Sequence, residues 1–386
     1  MSTSQKRRVL FGGYAPVHFL CFLPIYRRLL EDPRVEVFLT GGFREKNADS
    51  VTFHLEGFYE PFGVDPARVL TLETVAQQSF DVVVCSHLSD AMFPGSYGKS
   101  VQLFHGVSFK NLAVREKALR YDVLCLPGRY HGERYLEQGL VRAGGPECLL
   151  TGFAKTDRLV DGTLDRAALL RRLGLDPGRP TILLAPTGEK NNALETMGRD
   201  VISAITTANR WNLLVKPHDH PKNRVDWFAE LAPAEGSCTR LVQDADVIPH
   251  LHAADLLITD ASSVAVEYTL LDRPIIFLDV PKLFERVRKR APALDLETYG
   301  REIGVIVEKA SNVPTAIENC LANPAAQSDL RRSMASHVFH HPGSATDRVT
   351  AVVLRAAGLV DELPANIETI EPLALETSGR QGAEES

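Results

Sequence analysis

Short runs of Val, Leu and Ile recur along this chain without the alternation of apolar and polar residues that marks a half-exposed strand. "DLLITD" and "PIIFLD" are the plainest cases. A strand that is apolar on both sides must be covered on both faces, which confines it to the parallel sheets of α/β folds. Segments with helical spacing separate the runs, the signature of βαβ units. The first half gives "RVLFGG", "VEVFLTGG", "DVVVCS", "VQLFHG", "VLCLPG" and "CLLTG", with helices expected at Val17–Leu30 and His131–Gln138. The second half gives "TILLAPT", "NLLVKPH", "TRLVQD", "DLLITD", "PIIFLD" and "GVIVE". Its helices are expected at Leu194–Asn209, Val225–Leu231, Ser263–Leu271 and Val313–Leu321.

Between the halves, "TLDRAALLRRLGLDPGRP" reads as a helix closed by Gly174 and followed by a Pro-Gly turn. The boundary is expected near Asp176–Pro180, which suits a chain of 386 residues, too long for one ordinary core. The expected division is 1–175 for a first Rossmann-like domain, 176–343 for a second, 344–360 for a C-terminal helix and 361–386 for an acidic, disordered tail. That tail holds seven acids against Arg380 alone, which leaves 42 basic and 42 acidic residues in the body. A neutral body argues against nucleic acid as a partner, since phosphate-backbone binding needs a basic surface.

Six scattered cysteines form no CxxC pair and mostly sit in apolar runs, which points to free thiols in a reducing cytoplasm. Gly12, Gly13 and Pro16 interrupt the apolar N-terminal region around "VHFLCFLPI". No run reaches the roughly 20 apolar residues of a membrane span. Any membrane contact is therefore peripheral, at the inner face of the plasma membrane; "RVRKR" at Arg286–Arg290 reads as a solvated charge run, with contact to anionic lipid the alternative.

In doubly wound sheets, ligands bind beyond the carboxyl ends of the strands. Those ends carry Gly12-Gly13, Ser86-His87, His105-Gly106, Thr151-Gly152, Pro186-Thr187, Lys216-Pro217-His218 and Asp260 with Ser262-Ser263. Turn residues are expected at any strand end, but this set converges on His, Lys, Ser and Thr. His105 projects from a strand end, and an imidazole can accept a proton from an alcohol at neutral pH. Lys216 and His218 suit a diphosphate, with His220 an alternative in the same loop. His218 and His220 also have metal-ligand spacing, without an acidic or cysteine third ligand nearby. His250 and His252 are expected on a helical turn with their rings apart, and Asp244 and Asp246 in turn and capping roles. Ser262 is the expected N-cap of the next helix and Ser263 lies in its first turn, an arrangement that fits a phosphate.

The order of these motifs resembles the CDP-glycerol glycerophosphotransferases, the teichoic-acid polymerases and primases. His105-Gly106 with Lys110 is similar to that family's HG-x-x-x-K element. "TGFAKTDRL" resembles Gly-x-Pro-Arg-x-Asp, keeping Gly152 and Asp157, and "LLAPTGEK" keeps the Pro186-Thr187 pair of a third element. "LVKPHDHP" looks like Lys-x-His-Pro, and "LLITDASSVAVEYTLLDRPIIFLD" is close to Leu-Ile-Thr-Asp-Tyr-Ser-Ser. The resemblance spans about Val101 to Val307. Ala154-Lys155 stands in place of Pro-Arg, Gly188-Glu189 in place of Trp-Arg, and Ala261 in place of tyrosine.

The resemblance implies a GT-B architecture, two Rossmann-like domains facing across a cleft. The first is implied to face the acceptor and the second to bind nucleotide. It implies attack of an acceptor hydroxyl on the β-phosphorus of a CDP-polyol with release of CMP, in synthesis of a cell-surface polymer. His105 is then the general base, and Gly106 and Lys110 serve the acceptor end. Lys216, His218, Ser262 and Ser263 hold the diphosphate, with Thr187 and Asp260 lining the nucleotide cleft. No cofactor is obligatory, and a divalent metal is compatible with the site. The acceptor is a polyol-phosphate or glycan, lipid-linked or free. Two other readings share the fold. One is a glycosyltransferase or UDP-sugar 2-epimerase, with Glu267 binding sugar hydroxyls. The other is a non-catalytic binding protein, suggested by the altered Pro-Arg and Trp-Arg positions.

Overall fold

The computed structural model describes residues 5–46, 50–89, 91–107, 109–218, 225–289, 295 and 299–372. The strands of its first half are β1 (Arg7–Gly13), β2 (Val35–Gly41), β3 (Phe43–Lys46), β4 (Val51–His54), β5 (Val69–Leu70), β6 (Ser79–Cys85), β7 (Ser96–Gln102), β8 (Val123–Leu126) and β9 (Glu147–Leu150). Those of the second are β10 (Thr181–Leu184), β11 (Asn212–Val215), β12 (Thr239–Leu241), β13 (Leu256–Thr259), β14 (Ile275–Leu278) and β15 (Val305–Val307), and β16 (Glu368–Thr369) follows. Each apolar run read as a strand forms one. The hairpin β3–β4 escapes a pattern-based reading because its residues are mostly exposed, so no apolar face is imprinted on them.

The helices are α1 (Pro16–Leu30), α2 (Leu72–Ala76), α3 (Arg129–Glu137), α4 (Arg166–Arg172), α5 (Ala193–Ala208) and α6 (Trp227–Leu231). They continue as α7 (Ile248–Ala253), α8 (Val264–Tyr268), α9 (Pro281–Arg288), α10 (Val313–Ala322), α11 (Ser328–Val338) and α12 (Ala345–Ala356).

The first sheet has the order β16-β9-β8-β7-β6-β1-β2-β5 and the second β12-β11-β10-β13-β14-β15. All pairs within them are parallel except β16 with β9. Each sheet therefore reverses its direction of growth once. The first reverses between β1 and β6, the second between β10 and β13. At such a reversal the connections leave to opposite sides and open a crevice beyond the strand ends. Buried side chains fill both faces of the first sheet, and the core of the second runs on into Cys21, Phe109, Tyr130 and Phe153 of the first half. The halves thus share apolar packing beneath the cleft.

The chain returns to its first half at the end. Helix α12 packs on α1, β6 and β7, and β16 pairs with β9 through Glu368 and Leu150. A strand thus lies within the stretch 361–386 that was expected to be disordered, because the β9 edge offers it backbone partners and Arg129 binds Glu368 at 2.6 Å. Residues 373–386 lie outside the described residues.

Asp157 fixes this return. Its carboxylate accepts from the Ala345 and Thr346 amides at 3.0 and 2.7 Å and from the Thr346 hydroxyl at 2.7 Å, at the start of α12. Buried Arg348 then donates to the carbonyls of Thr151, His340 and His341. Gly152 lies between them at φ +84°, where a Cβ would stand 2.6 Å from the His340 carbonyl oxygen. Both the dihedral and the space demand glycine. Gly152→Ala is expected to lower unfolding free energy by about 2 kcal/mol or more. Urea unfolding of the two proteins measures this directly.

Candidate active site

The two reversals face each other. Beyond β1, β6 and β7 lie Tyr14, His18, Ser86, His87 and His105; beyond β10, β11 and β13 lie Thr187, Lys216, His218, Ser262 and Ser263. Together they line a cavity of about 720 Å³. Gly106 and Ser263 face each other closely across it: a methyl group on Gly106 would stand 3.6 Å from the Ser263 hydroxyl oxygen.

His105 is open to the cleft yet walled on its other sides by protein. Its Nδ1 lies 2.6 Å from the Ser86 carbonyl oxygen. A carbonyl only accepts, so Nδ1 carries the proton and Nε2 keeps its lone pair. Burial lowers the pKa of the ring; the Ser86 carbonyl opposes this and the nearby Lys155 charge adds to it. The imidazole is thus a neutral base of fixed tautomer.

Two further histidines support it. The His18 ring sits edge-on to His105 with centroids 4.8 Å apart, and His87 follows at 5.2 Å from His18. His18 Nδ1 accepts from the Tyr14 amide at 3.2 Å. His87 donates from Nε2 to the Gly12 carbonyl at 3.1 Å and accepts at Nδ1 from the Ser89 amide at 3.1 Å. Burial, with the neighbouring His105 second, pushes His87 down to about 3 and His18 well below its ordinary value. Both are neutral. His18 escaped the sequence reading because it sits inside an apolar helical run, though its place one turn beyond Gly12-Gly13 is a strand-end signal.

The facing wall is cationic and hydroxylic. Lys110 crosses from the first half and donates to the Thr187 hydroxyl at 3.1 Å. Lys216 is buried at the end of β11, while His218 is exposed at the mouth; His220 lies outside the described residues. Neither Ser262 nor Ser263 caps α8: Ser263 is already helical at φ −64°, ψ −21°, without a side-chain capping bond. The expected N-cap at Ser262 is thus replaced by hydroxyls that line the cleft. The helix itself is only five residues before a tighter turn, so its dipole is short.

Two expected cleft residues turn inward. Asp260 is buried and accepts from the Thr187 and Ala193 amides at 2.8 and 2.9 Å, so it shapes the Thr187 loop and starts α5 from beneath. Glu267 is fully buried and grips Lys155, at 2.8 and 2.9 Å. Asp246 has the expected turn role, capping Ile248 and pairing with Arg158 at 2.7 Å. Among the described residues one group has metal-ligand spacing, His340, His341 and Glu368, none of which lines the cleft.

The profile of the CDP-glycerol:poly(glycerophosphate) glycerophosphotransferase family matches residues 74–355. The chain belongs to that family. It is accordingly a transferase of the glycerophosphotransferase type that uses a CDP-glycerol type of donor. No curated protein matches it. Among solved structures, wall teichoic acid polymerase TagF is 15% identical with a TM-score of 0.66, covering 91% of this chain and 89% of that one. A TagF structure soaked with CDPG is 16% identical with a TM-score of 0.62, over 91% and 88%. A putative UDP-N-acetylglucosamine 2-epimerase from Listeria monocytogenes is 16% identical with a TM-score of 0.57, over 90% and 96%. At these identities the likeness shows the GT-B fold. Among the described residues no helix is long and apolar enough to cross a membrane.

Within this glycerophosphotransferase the histidine cluster has a consequence for stability. His87 has a folded pKa below its unfolded one, so its contribution is present above pH 6.5 and is lost as pH falls toward 3. Between pH 7 and pH 5 the unfolding free energy is expected to drop by about 2 kcal/mol from this residue alone. Urea titrations at both pH values should show a shallower drop in His87→Gln.

Proposed function

We propose that the cleft transfers glycerol phosphate from CDP-glycerol to an acceptor hydroxyl, with His105 as general base. The observation that carries this is the His105 Nδ1 contact with the Ser86 carbonyl, which leaves Nε2 as a proton acceptor on a side chain that lines the cavity. The acceptor O–H gives its proton to Nε2 while its oxygen bonds to the β-phosphorus. The bond from that phosphorus to the bridging oxygen breaks, and CMP leaves with the bridging oxygen. Such a step needs in-line positioning and compensation of negative charge more than covalent help from the protein. In this reading Lys216, His218, Ser262 and Ser263 hold the diphosphate, Thr187 lines the nucleotide side, and Gly106 and Lys110 shape the acceptor end. In this reading no metal is obligatory for the reaction.

A screen of CDP-glycerol, CDP-ribitol and UDP-sugars, with and without chelator, tests the assignment by mass spectrometry of the products. CMP release from a CDP-polyol, undiminished by chelator, is the expected result; turnover of UDP-sugars alone would sink it. His105→Ala should lower the rate about 10²–10⁴-fold while CDP-glycerol still binds.

The acceptor is proposed to be lipid-linked at the inner face of the plasma membrane. Hairpin β3–β4 supports this, with Phe43 and Val51 exposed at 44% and 43% next to Arg44 and Lys46, and Arg44 also lining the cleft. A mixed apolar and cationic edge suits an anionic polymer on an anchor. Phe43→Ser with Val51→Ser is expected to slow transfer to a vesicle-bound acceptor and to leave transfer to a soluble one unchanged. Equal rates on the vesicles would refute the role.

A further inference from the structure

Lys155 and Glu267 form a buried ion pair across the two halves of the molecule. Lys155 lies in the turn Ala154–Leu159, Glu267 in α8, with 7% and 0% of their surfaces exposed. Both carboxylate oxygens accept from the ammonium, at 2.8 and 2.9 Å. An ammonium has three N–H groups. Apart from the Phe153 ring, whose centroid lies 5.8 Å from the ammonium, the third has no nitrogen or oxygen acceptor among the described residues, and Lys155 lines the same cavity as His105, Gly106 and Ser263. A tie between domains needs neither a spare donor nor a place on the cavity wall. A buried donor left without a partner is costly, so a site that keeps one has a ligand oxygen to offer it.

We propose that Lys155 is a further catalytic residue, whose spare N–H binds a non-bridging oxygen of the transferred phosphoryl group, and that Glu267 is the positioning residue that aims it. This rests on the transfer reaction proposed above. Lys155 stands on the His105 side of the cleft, opposite Lys216 and His218, so the phosphoryl group would be held by cations from both walls as its charge spreads during in-line displacement.

Glu267 also decides the charge of Lys155. The groups facing the ammonium are Glu267 from α8, Cys21 from α1, Asp246 from the turn before α7 and His105 beyond β7. Burial alone would push its pKa down. Glu267 first, then Cys21 and Asp246, outweigh burial and raise it above its ordinary value. The shifts run in opposite directions, so at neutral pH a charged ammonium stands beside a neutral imidazole. Glu267→Gln keeps the burial and removes the largest opposing charge, so the proton leaves Lys155 at lower pH.

The test is steady-state CMP release from CDP-glycerol between pH 6 and 10 by the full-length protein and its Lys155→Met, Lys155→Arg, Glu267→Gln and Glu267→Asp variants. CDP-glycerol affinity by calorimetry and melting temperature accompany each. Lys155→Met should lower kcat about 10²-fold or more with donor affinity within about threefold, and Lys155→Arg should recover much of the loss. Glu267→Gln should bring into the range below pH 10 an alkaline fall in kcat that wild type does not show there, while Glu267→Asp stays near wild type. Equal losses in Lys155→Met and Lys155→Arg that follow melting temperature, or a Glu267→Gln profile superimposable on wild type, overturn the proposal. Should Glu267→Gln fail to fold, the comparison of Lys155→Met with Lys155→Arg decides alone. The wild-type arm separates the two levels: absence of CMP release overturns the reaction itself, whereas wild-type turnover matched by Lys155→Met overturns only the role of Lys155.

Discussion

The reversal of strand order in each sheet is the constraint on which the site depends. Connections on either side of a reversal leave toward opposite faces of the sheet, so nothing covers the strand ends between them. In the first sheet this exposes the ends of β1 and β6, in the second the ends of β10 and β13. The packing shared by the two halves, continuous from Ile258 to Phe109 and Phe153, sets one crevice against the other. Helix α12 then fixes the arrangement, because Asp157 and Arg348 hold its start to the first half. Gly152 and Asp157, which stand in a family motif, thus have structural roles, and Lys155 between them is the member that reaches the cavity.

Charge is divided between the walls. Three packed rings, His18, His87 and His105, are all pushed toward neutrality by burial, which suits a surface that must take a proton from an alcohol. The facing wall has Lys216 and two serine hydroxyls at the end of a short helix, which suits a group already negative. Lys155 is a buried cation on the histidine side, and Glu267 is what makes its charge tolerable there. The family departure at this position, lysine for arginine, keeps the positive charge while Glu267 satisfies two of its donors.

Much of the architecture was legible in the chain. Buried parallel strands are apolar on both faces, so their runs stand out without an alignment, and each of those read in either half forms a strand. The strand-end rule then named His105, Lys216, Ser262 and Ser263, all of which line the cavity. The rule failed where side chains turn under the surface. Asp260 sits at a strand end but reaches back to two amides, and Glu267, chosen as a sugar ligand, is enclosed with Lys155. A periodic pattern says which side of an element is buried, not which way a polar side chain bends inside it. Hairpin β3–β4 had no pattern to read because it buries almost nothing, and β16 is too short to imprint one.

The sequence by itself determined the buried strands, the division into two parallel sheets and the residue types at the strand ends, because these follow from local apolar patterning and turn chemistry. The tertiary structure decided which of those ends meet. It brought Gly106 against Ser263, packed His18 and His87 behind His105, and closed Lys155 on Glu267 across more than a hundred intervening residues. Local pattern has no information about such contacts, since they arise from two sheets folding against one another, and the protonation state of each group is set by that enclosure and not by its neighbours along the chain.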